Sequence, residues 1–348
     1  MGWIMKKILI FLSILCCITG CGKYTEKDAI KDLENKVESS KGYHITGSLK
    51  IWRGESVYTY DVESSYKIGD YFKVSLVNKT NNHEQIILKN DEGIFVLTPS
   101  LNKSFKFQSE WPFNSSQVYL LQPLLTDISN DSKRTFKENK NSYVFTTKVS
   151  YSNDRSLTKQ KIYFDKNMNL TKVEVKDNDD NVQIKFVVND IDFKAKFGDE
   201  FFDTDSILDI EEESENDEDS KIEEKNESKN TNTETTVKID DALYPMYVPS
   251  ETYLSSQDKV STDSGERLIL TFAGENPFVL IQETSNSLET SKFVYGDPYM
   301  ILDTVGAITD YSVSWSSNGI DYCVVSDNLD IDQLISVAES VNSVAVNK

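Results

Sequence analysis

Four cysteines and two histidines are the side chains of this 348-residue chain best suited to metal ligation, nucleophilic attack or proton transfer near neutral pH. Their placement argues against all three. Cys16, Cys17 and Cys21 crowd the N-terminus, so Cys323 is alone in the body and no intrachain disulfide framework can form there. His44 opens a strand-like run and His83 sits in an Asn-rich turn. No histidine accompanies Cys323 to lower its thiol pKa, so it reads as a buried structural thiol in an apolar strand. The carboxylate pairs Asp179-Asp180 and Asp190/Asp192 fall in turns or on strand edges, where solvated charge is the default; a glycosidase needs two carboxyls facing each other across a cleft. There is no G-x-S-x-G, H-E-x-x-H, Walker A or G-x-G-x-x-G motif. The expectation is a protein without catalytic residues, metal or cofactor. A formal charge of −20 further argues against nucleic acid as a partner, because phosphate neutralisation needs clustered basic residues.

Cys21 is the exception. Lys6 and Lys7 precede an apolar run, Ile8 to Ile18, that is too short for the roughly 20 residues a bilayer span needs. The run ends in Ile18-Thr19-Gly20-Cys21, which resembles the lipobox of bacterial lipoproteins. The resemblance implies a signal peptide over residues 1–20, cleavage before Cys21 and a diacylglyceryl thioether on its sulfur. Two or three acyl chains make a stable anchor where one is marginal. The expected location is the extracytoplasmic face of the cell membrane, with palmitate or a similar acyl chain on Cys21.

The elements behind this anchor divide into two β-rich bodies. Residues 25–41 predict a helix, with Thr25 as N-cap, Asp28 three residues on, and Ile30, Leu33 and Val37 on one stripe. From Tyr43 to about Phe202, short runs rich in Val, Ile, Tyr and Phe alternate with turn residues and predict ten strands, a long antiparallel meander. One helix is expected to interrupt it over Asn114–Ile128, with Pro123 bending or ending its first half. From Ser206 to Asn230 there are eleven acidic residues, three lysines and no aromatics, so 206–238 reads as a solvated, self-repelling linker. Residues 239–348 predict a small α+β domain with four strands, a hairpin at Asn318-Gly319 and a closing helix over Asp330–Asn342 capped by Asp327 or Asp330. Two such bodies on a charged strap should fold and move independently.

The stretch Gly93-Ile94-Phe95-Val96-Leu97-Thr98-Pro99, with Lys103-Ser104-Phe105-Lys106-Phe107-Gln108 and Trp111-Pro112, resembles the Gram-positive sporulation and germination branch of the LolA-like lipoproteins. The later Ile162-Tyr163-Phe164-Asp165 and Leu170-Thr171-Lys172-Val173 fit the same family's strand–turn–strand. Residues 240–346, through Tyr244-Pro245, Val248-Pro249 and Trp315 with Asn318-Gly319-Ile320-Asp321-Tyr322, resemble a domain of unknown function common in such lipoproteins. The resemblance implies a mostly β, α+β protein: an incomplete antiparallel barrel with a helical lid over residues 21–205, followed by the small α+β domain. It also implies binding without catalysis, of a partner protein (such as a wall hydrolase in spore cortex modification) or of an acyl or apolar ligand, as in an envelope lipid or lipoprotein carrier. Phe95, Phe105, Phe107, Trp111 and Leu121 are the candidate face. A concave sheet with these residues either binds such a partner or is filled by the two helices as core.

Overall fold

The computed structural model describes residues 24–54, 56–151, 156–208, 239, 242–262, 265–284 and 291–341. The lipobox and the acidic run from 209 to 238 lie outside the described residues.

Helix α1 (Glu26–Ser39) starts as its sequence dictates. The Thr25 hydroxyl accepts from the Asp28 N–H, and the Asp28 carboxylate accepts from the Thr25 N–H at 2.9 Å, a reciprocal capping box. Its buried stripe is Ala29, Leu33 and Val37, with Ile30 packed alongside. Strands β1 (Gly42–Arg53), β2 (Ser56–Lys67), β3 (Tyr71–Asn78), β4 (Glu84–Asn90), β5 (Gly93–Thr98) and β6 (Lys103–Gln108) then run as an antiparallel meander. Helix α2 (Leu121–Asn130) follows. Strands β7 (Thr135–Glu138), β8 (Tyr143–Lys148), β9 (Leu157–Phe164), β10 (Leu170–Asp177) and β11 (Val182–Asp192) return the chain so that β11 pairs with β1. Gly47 permits that pairing opposite the bulge at Asn189 of β11, since a Cβ there would stand 2.5 Å from the Phe186 ring.

All ten strands expected in this body are present. The second helix differs. It begins at Leu121, seven residues later than expected, and Pro123 lies in its first turn, where no intrahelical N–H is required. Proline therefore starts this helix and does not break it.

The second body contains β12 (Thr252–Thr262), β13 (Gly265–Gly274), β14 (Phe278–Thr284), β15 (Ser291–Tyr295), β16 (Asp297–Ile301), β17 (Thr304–Ile308), β18 (Ser312–Ser317) and β19 (Ile320–Val325), closed by α4 (Ile331–Val341). Asp330 caps α4: its carboxylate accepts from the Gln333 N–H at 2.9 Å while the Gln333 side chain accepts from the Asp330 N–H at 3.1 Å. Asn318 and Gly319 both adopt positive φ, 51° and 77°, as a two-residue hairpin turn with right-handed strands requires.

Two sheets result. The larger has the order β15-β6-β5-β4-β3-β2-β1-β11-β10-β9-β8-β7, and its edge strands β15 and β7 do not pair with each other, so the barrel is open. The smaller is β12-β13-β14-β19-β18-β17-β16. This is the mostly β, incomplete antiparallel barrel with helices that the resemblance implies. The main core lies on the concave face, where α1 and α2 cover Tyr43, Phe72, Phe145 and Phe186. At about 1.5–3 kcal/mol for each fully buried large apolar side chain, this cluster dominates the stability of the body.

Independent movement of the two bodies does not hold in this structure. Strand β15, which belongs in sequence to the second body, pairs in parallel with β6 of the first. Strands β16 and β17 face both cores: Met300, Val305 and Ala307 pack on the first, Tyr299, Ile301 and Ile308 on the second. The first residues of the stretch expected as a linker are structured. Ser206 to Leu208 complete a short helix, α3 (Thr204–Leu208), and Leu208 packs with Phe202 against Phe95, Leu97, Ile86 and Leu88 on the convex face.

Candidate functional site

The candidate aromatic face does not form one surface. In the register of β5 and β6, Phe95 sits opposite Lys106 and Ile94 opposite Phe107, so Phe95 and Phe107 point to opposite faces of the sheet. Phe95 belongs to the convex cluster, with the Lys106 ammonium over its ring. Trp111 and Leu121 are buried in the concave core, Trp111 edge-on to Phe72 at 6.2 Å. Phe107 belongs to that same core, with Phe105 packed against it, so only Phe95 is set apart. Phe105 and Phe107 line a cleft of about 220 Å³ whose other walls come from the second body and include Ile281, Val305 and Cys323. A one-residue shift in strand phase separates core from surface, and sequence motifs do not reveal which phase faces in.

The groups whose types suit chemistry have local partners instead. His44 Nδ1 lies 2.9 Å from the Ser65 hydroxyl and Nε2 4.0 Å from Glu63. Asp180, fully exposed, is held between Lys159 at 2.7 Å and Lys176 at 3.1 Å, and these two ammonium groups lower its pKa to about 2. Asp192 caps the backbone N–H of Lys194. Burial raises the Cys323 thiol pKa, only partly offset by the Ser314 hydroxyl that donates to it at 3.2 Å, so it carries little thiolate. Among the described residues no three His, Cys, Asp or Glu come together as a metal site.

The concave mouth is the most elaborated feature. The part of the half-barrel not covered by the helices is covered by the β16–β17 hairpin. The first body holds this hairpin largely through its main chain. The Tyr60 hydroxyl donates to the Leu302 carbonyl at 3.1 Å, and the Gln85 side-chain oxygen accepts from the Val305 N–H. Burial, and then the Asp303 carboxylate, push the Tyr60 phenol well above its ordinary value, so it remains a donor throughout the physiological range. At the start of the hairpin the Asp297 carboxylate accepts from the Ser109 hydroxyl at 2.5 Å and the Asn114 amide at 2.7 Å. Arg53 donates to the Tyr299 hydroxyl at 3.1 Å and forms an ion pair with Glu339 of α4. A space of about 100 Å³ remains between hairpin and barrel, walled by Leu49, Ile51, Tyr119, Ile184 and Met300.

Sequence reasoning missed Tyr60, Gln85, Asp297 and Met300. Asp297-Pro298 reads as a turn, and a tyrosine or glutamine inside a strand carries no signal of a backbone it will meet more than 200 residues away.

These features define a class: an open half-barrel filled by two helices and capped by a hairpin from a second β body. No protein-family model matches the chain. The chain is 35% identical over 340 residues to the sporulation protein YdcC of Bacillus subtilis (strain 168), covering 96% of this chain and 95% of that protein. It belongs to the family of that protein. Among solved structures, MucB is similar over 92% of this chain and 98% of its own, at 11% identity and a TM-score of 0.35. The complex of the Clostridioides difficile CwlD amidase with the GerS lipoprotein contains a chain similar over 52% of this one and 100% of its own, at 15% identity and a TM-score of 0.30.

Proposed function

We propose that this protein is a membrane-anchored, non-enzymatic lipoprotein of spore formation that acts by binding a partner protein, with an enzyme of cortex modification as the favoured partner. The observation that carries the reading is the 35% identity to a sporulation protein over 96% of the chain. The local pairing of His44, Asp180 and Cys323 supports binding over catalysis. The lipobox at Ile18 to Cys21 supports attachment to the extracytoplasmic face. A carrier of lipids or lipoproteins needs open volume on the concave face. The roughly 100 Å³ left there is small beside the approximately 300–1,000 Å³ of ordinary ligand pockets, which favours the partner-binding reading. Deleting the gene and scoring cortex assembly and germination tests the role; normal spores would overturn it. Radiolabelled palmitate incorporation, lost in Cys21→Ser, tests the anchor, and persistence of label in that variant would overturn it.

A further inference from the structure

We propose that the concave mouth is a recognition groove for an extended peptide segment, that the β16–β17 hairpin is its resident occupant, and that a partner segment of similar chemistry replaces the hairpin. The inference deepens the partner-binding reading and rests on it for its biological meaning.

Three observations carry it. First, the groove reads main chain: Tyr60 binds a carbonyl and Gln85 binds an N–H, neither of which depends on the identity of the side chain presented. Such contacts read main chain, at the turn and at the start of the returning strand, and not side-chain identity. Second, the seat is underfilled. A space of about 100 Å³ remains beside Met300, so a segment that filled it would gain apolar contacts that the hairpin does not make. Third, the tip of the hairpin is strained. Leu302 adopts φ of +51°, a region that disfavours residues with a Cβ, and the strain sits where the hairpin enters the mouth.

The resident shows what the groove selects. Asp297 is held by two neutral donors, Ser109 and Asn114. Three residues later Met300 enters the apolar space with a flexible, polarisable side chain. The partner segment is therefore an extended stretch with a carboxylate followed, three residues on, by an adaptable apolar side chain.

The test uses the full chain carrying Cys21→Ala and a fluorescein-labelled peptide with the sequence of residues 297–308. The double variant Met300→Asp/Val305→Asp places two charges against the apolar seat and should unseat the hairpin. It is expected to bind the peptide at least about tenfold more tightly than the unsubstituted hairpin allows, and further replacement of Asn114 by Ala should reverse most of the gain. An unseated variant of unchanged circular dichroism that binds the peptide no better, or binds a scrambled peptide equally, overturns the proposal. So does displacement of the hairpin by dodecanoate with no binding of the peptide, which would assign the groove to acyl chains. Should the double variant not fold, hydrogen exchange on the chain with its hairpin intact decides. The amides of Val305 and Ala307 are expected to exchange at least about tenfold faster than those of Val74 and Leu76 in β3, and equal rates overturn the proposal. Normal spores from the deletion strain would leave these binding results standing, and failure of the peptide to bind would leave a spore phenotype standing.

Discussion

Arg53 at the end of β1 lies 3.3 Å from Glu339 in α4, joining the first strand of the half-barrel to the last helix of the chain. Both side chains are about one-fifth exposed, so the pair is partly desolvated and its attraction is only moderately screened. Arg53 also holds the Tyr299 hydroxyl, so one guanidinium ties α4 and the hairpin to the same strand. Replacing Arg53 with Met should take a cationic partner from the largely buried Glu339 carboxylate and cost about 1–3 kcal/mol. Urea unfolding checks the size. Exchanging the two charges, as Arg53→Glu with Glu339→Arg, should recover part of the loss, and a double-mutant cycle showing no coupling would disprove the latch.

Leu302 offers the opposite sign. An L-residue at φ of +51° carries a penalty that Asn tolerates better, and Leu302 is only partly buried, so little packing is lost. Leu302→Asn is expected to stabilise the chain by up to about 1 kcal/mol, raising its thermal midpoint by a few degrees. A lower midpoint would mean that the side chain's packing outweighs its backbone strain. The same substitution should slow hydrogen exchange at Val305 if strain at the tip promotes opening of the hairpin.

How much of this arrangement could be read in advance depended on whether a segment packs on one side or on two. The strands of the half-barrel bury one face, so Leu49, Ile51, Val173 and Val175 alternate with polar residues and announce themselves. The caps of α1 and α4 lie within a few residues of their helices: the box of α1 is plain, and for α4 the sequence narrows the cap to Asp327 or Asp330, of which Asp330 serves. Strand β17 is buried along all five residues, because one face meets each core, and the sequence Thr-Val-Gly-Ala-Ile shows no alternation. Pro298 and Gly306 in the hairpin then read as loop punctuation. The parallel pairing of β15 with β6 had no local signal either, since it joins residues nearly two hundred positions apart. The segment that couples the two bodies was therefore the least legible one. Phe95 and Trp111 showed the complementary failure: their types suggested a surface for binding, whereas the strand phase and the helices place both in cores.

Asp127 on α2 should make stability depend on pH. Burial is the leading influence and raises its pKa, hydrogen bonds from Ser116 and Gln160 oppose the shift, and the neighbouring Asp131 charge adds to it. The folded chain thus holds the Asp127 proton more tightly than the unfolded chain. Its contribution is fully present below the unfolded value, near 3.9, and is lost as pH rises through the higher folded value. At neutral pH the ionised group is a liability. Asp127→Asn keeps an oxygen for the Gln160 amide, which lies 2.6 Å from the carboxylate, and adds donors beside the Gln160 Oε1, which accepts no hydrogen bond from the described residues. The urea midpoint of Asp127→Asn should exceed that of the unsubstituted chain at pH 7.5, with the difference shrinking towards pH 4. A difference independent of pH would remove Asp127 as its source.

The final prediction concerns what holds the two bodies together. If the chain between Leu208 and Ile239 were their only connection, cutting it would let them part. The structure argues otherwise. Parallel pairing of β15 with β6, the hairpin shared between two cores, the Arg53–Glu339 pair and the Asp297 carboxylate held by Ser109 and Asn114 all join the bodies by contact. With a specific protease site inserted among residues 215–230, the cleaved chain should elute as one species in size-exclusion chromatography. At high protein concentration it should separate only in denaturant or when the interface is charged, as in Met300→Asp/Val305→Asp. Covalent linkage contributes a high effective concentration, so the cleaved complex should dissociate on dilution at a measurable midpoint, and Arg53→Met should move that midpoint to higher protein concentration by about tenfold or more. Elution of two independent folded fragments after cleavage alone would show that the strands and hairpin at the seam do not bind by themselves. The resident-occupant reading of the groove would then lose its physical basis, because a hairpin that cannot hold its seat without a tether says nothing about what that seat selects.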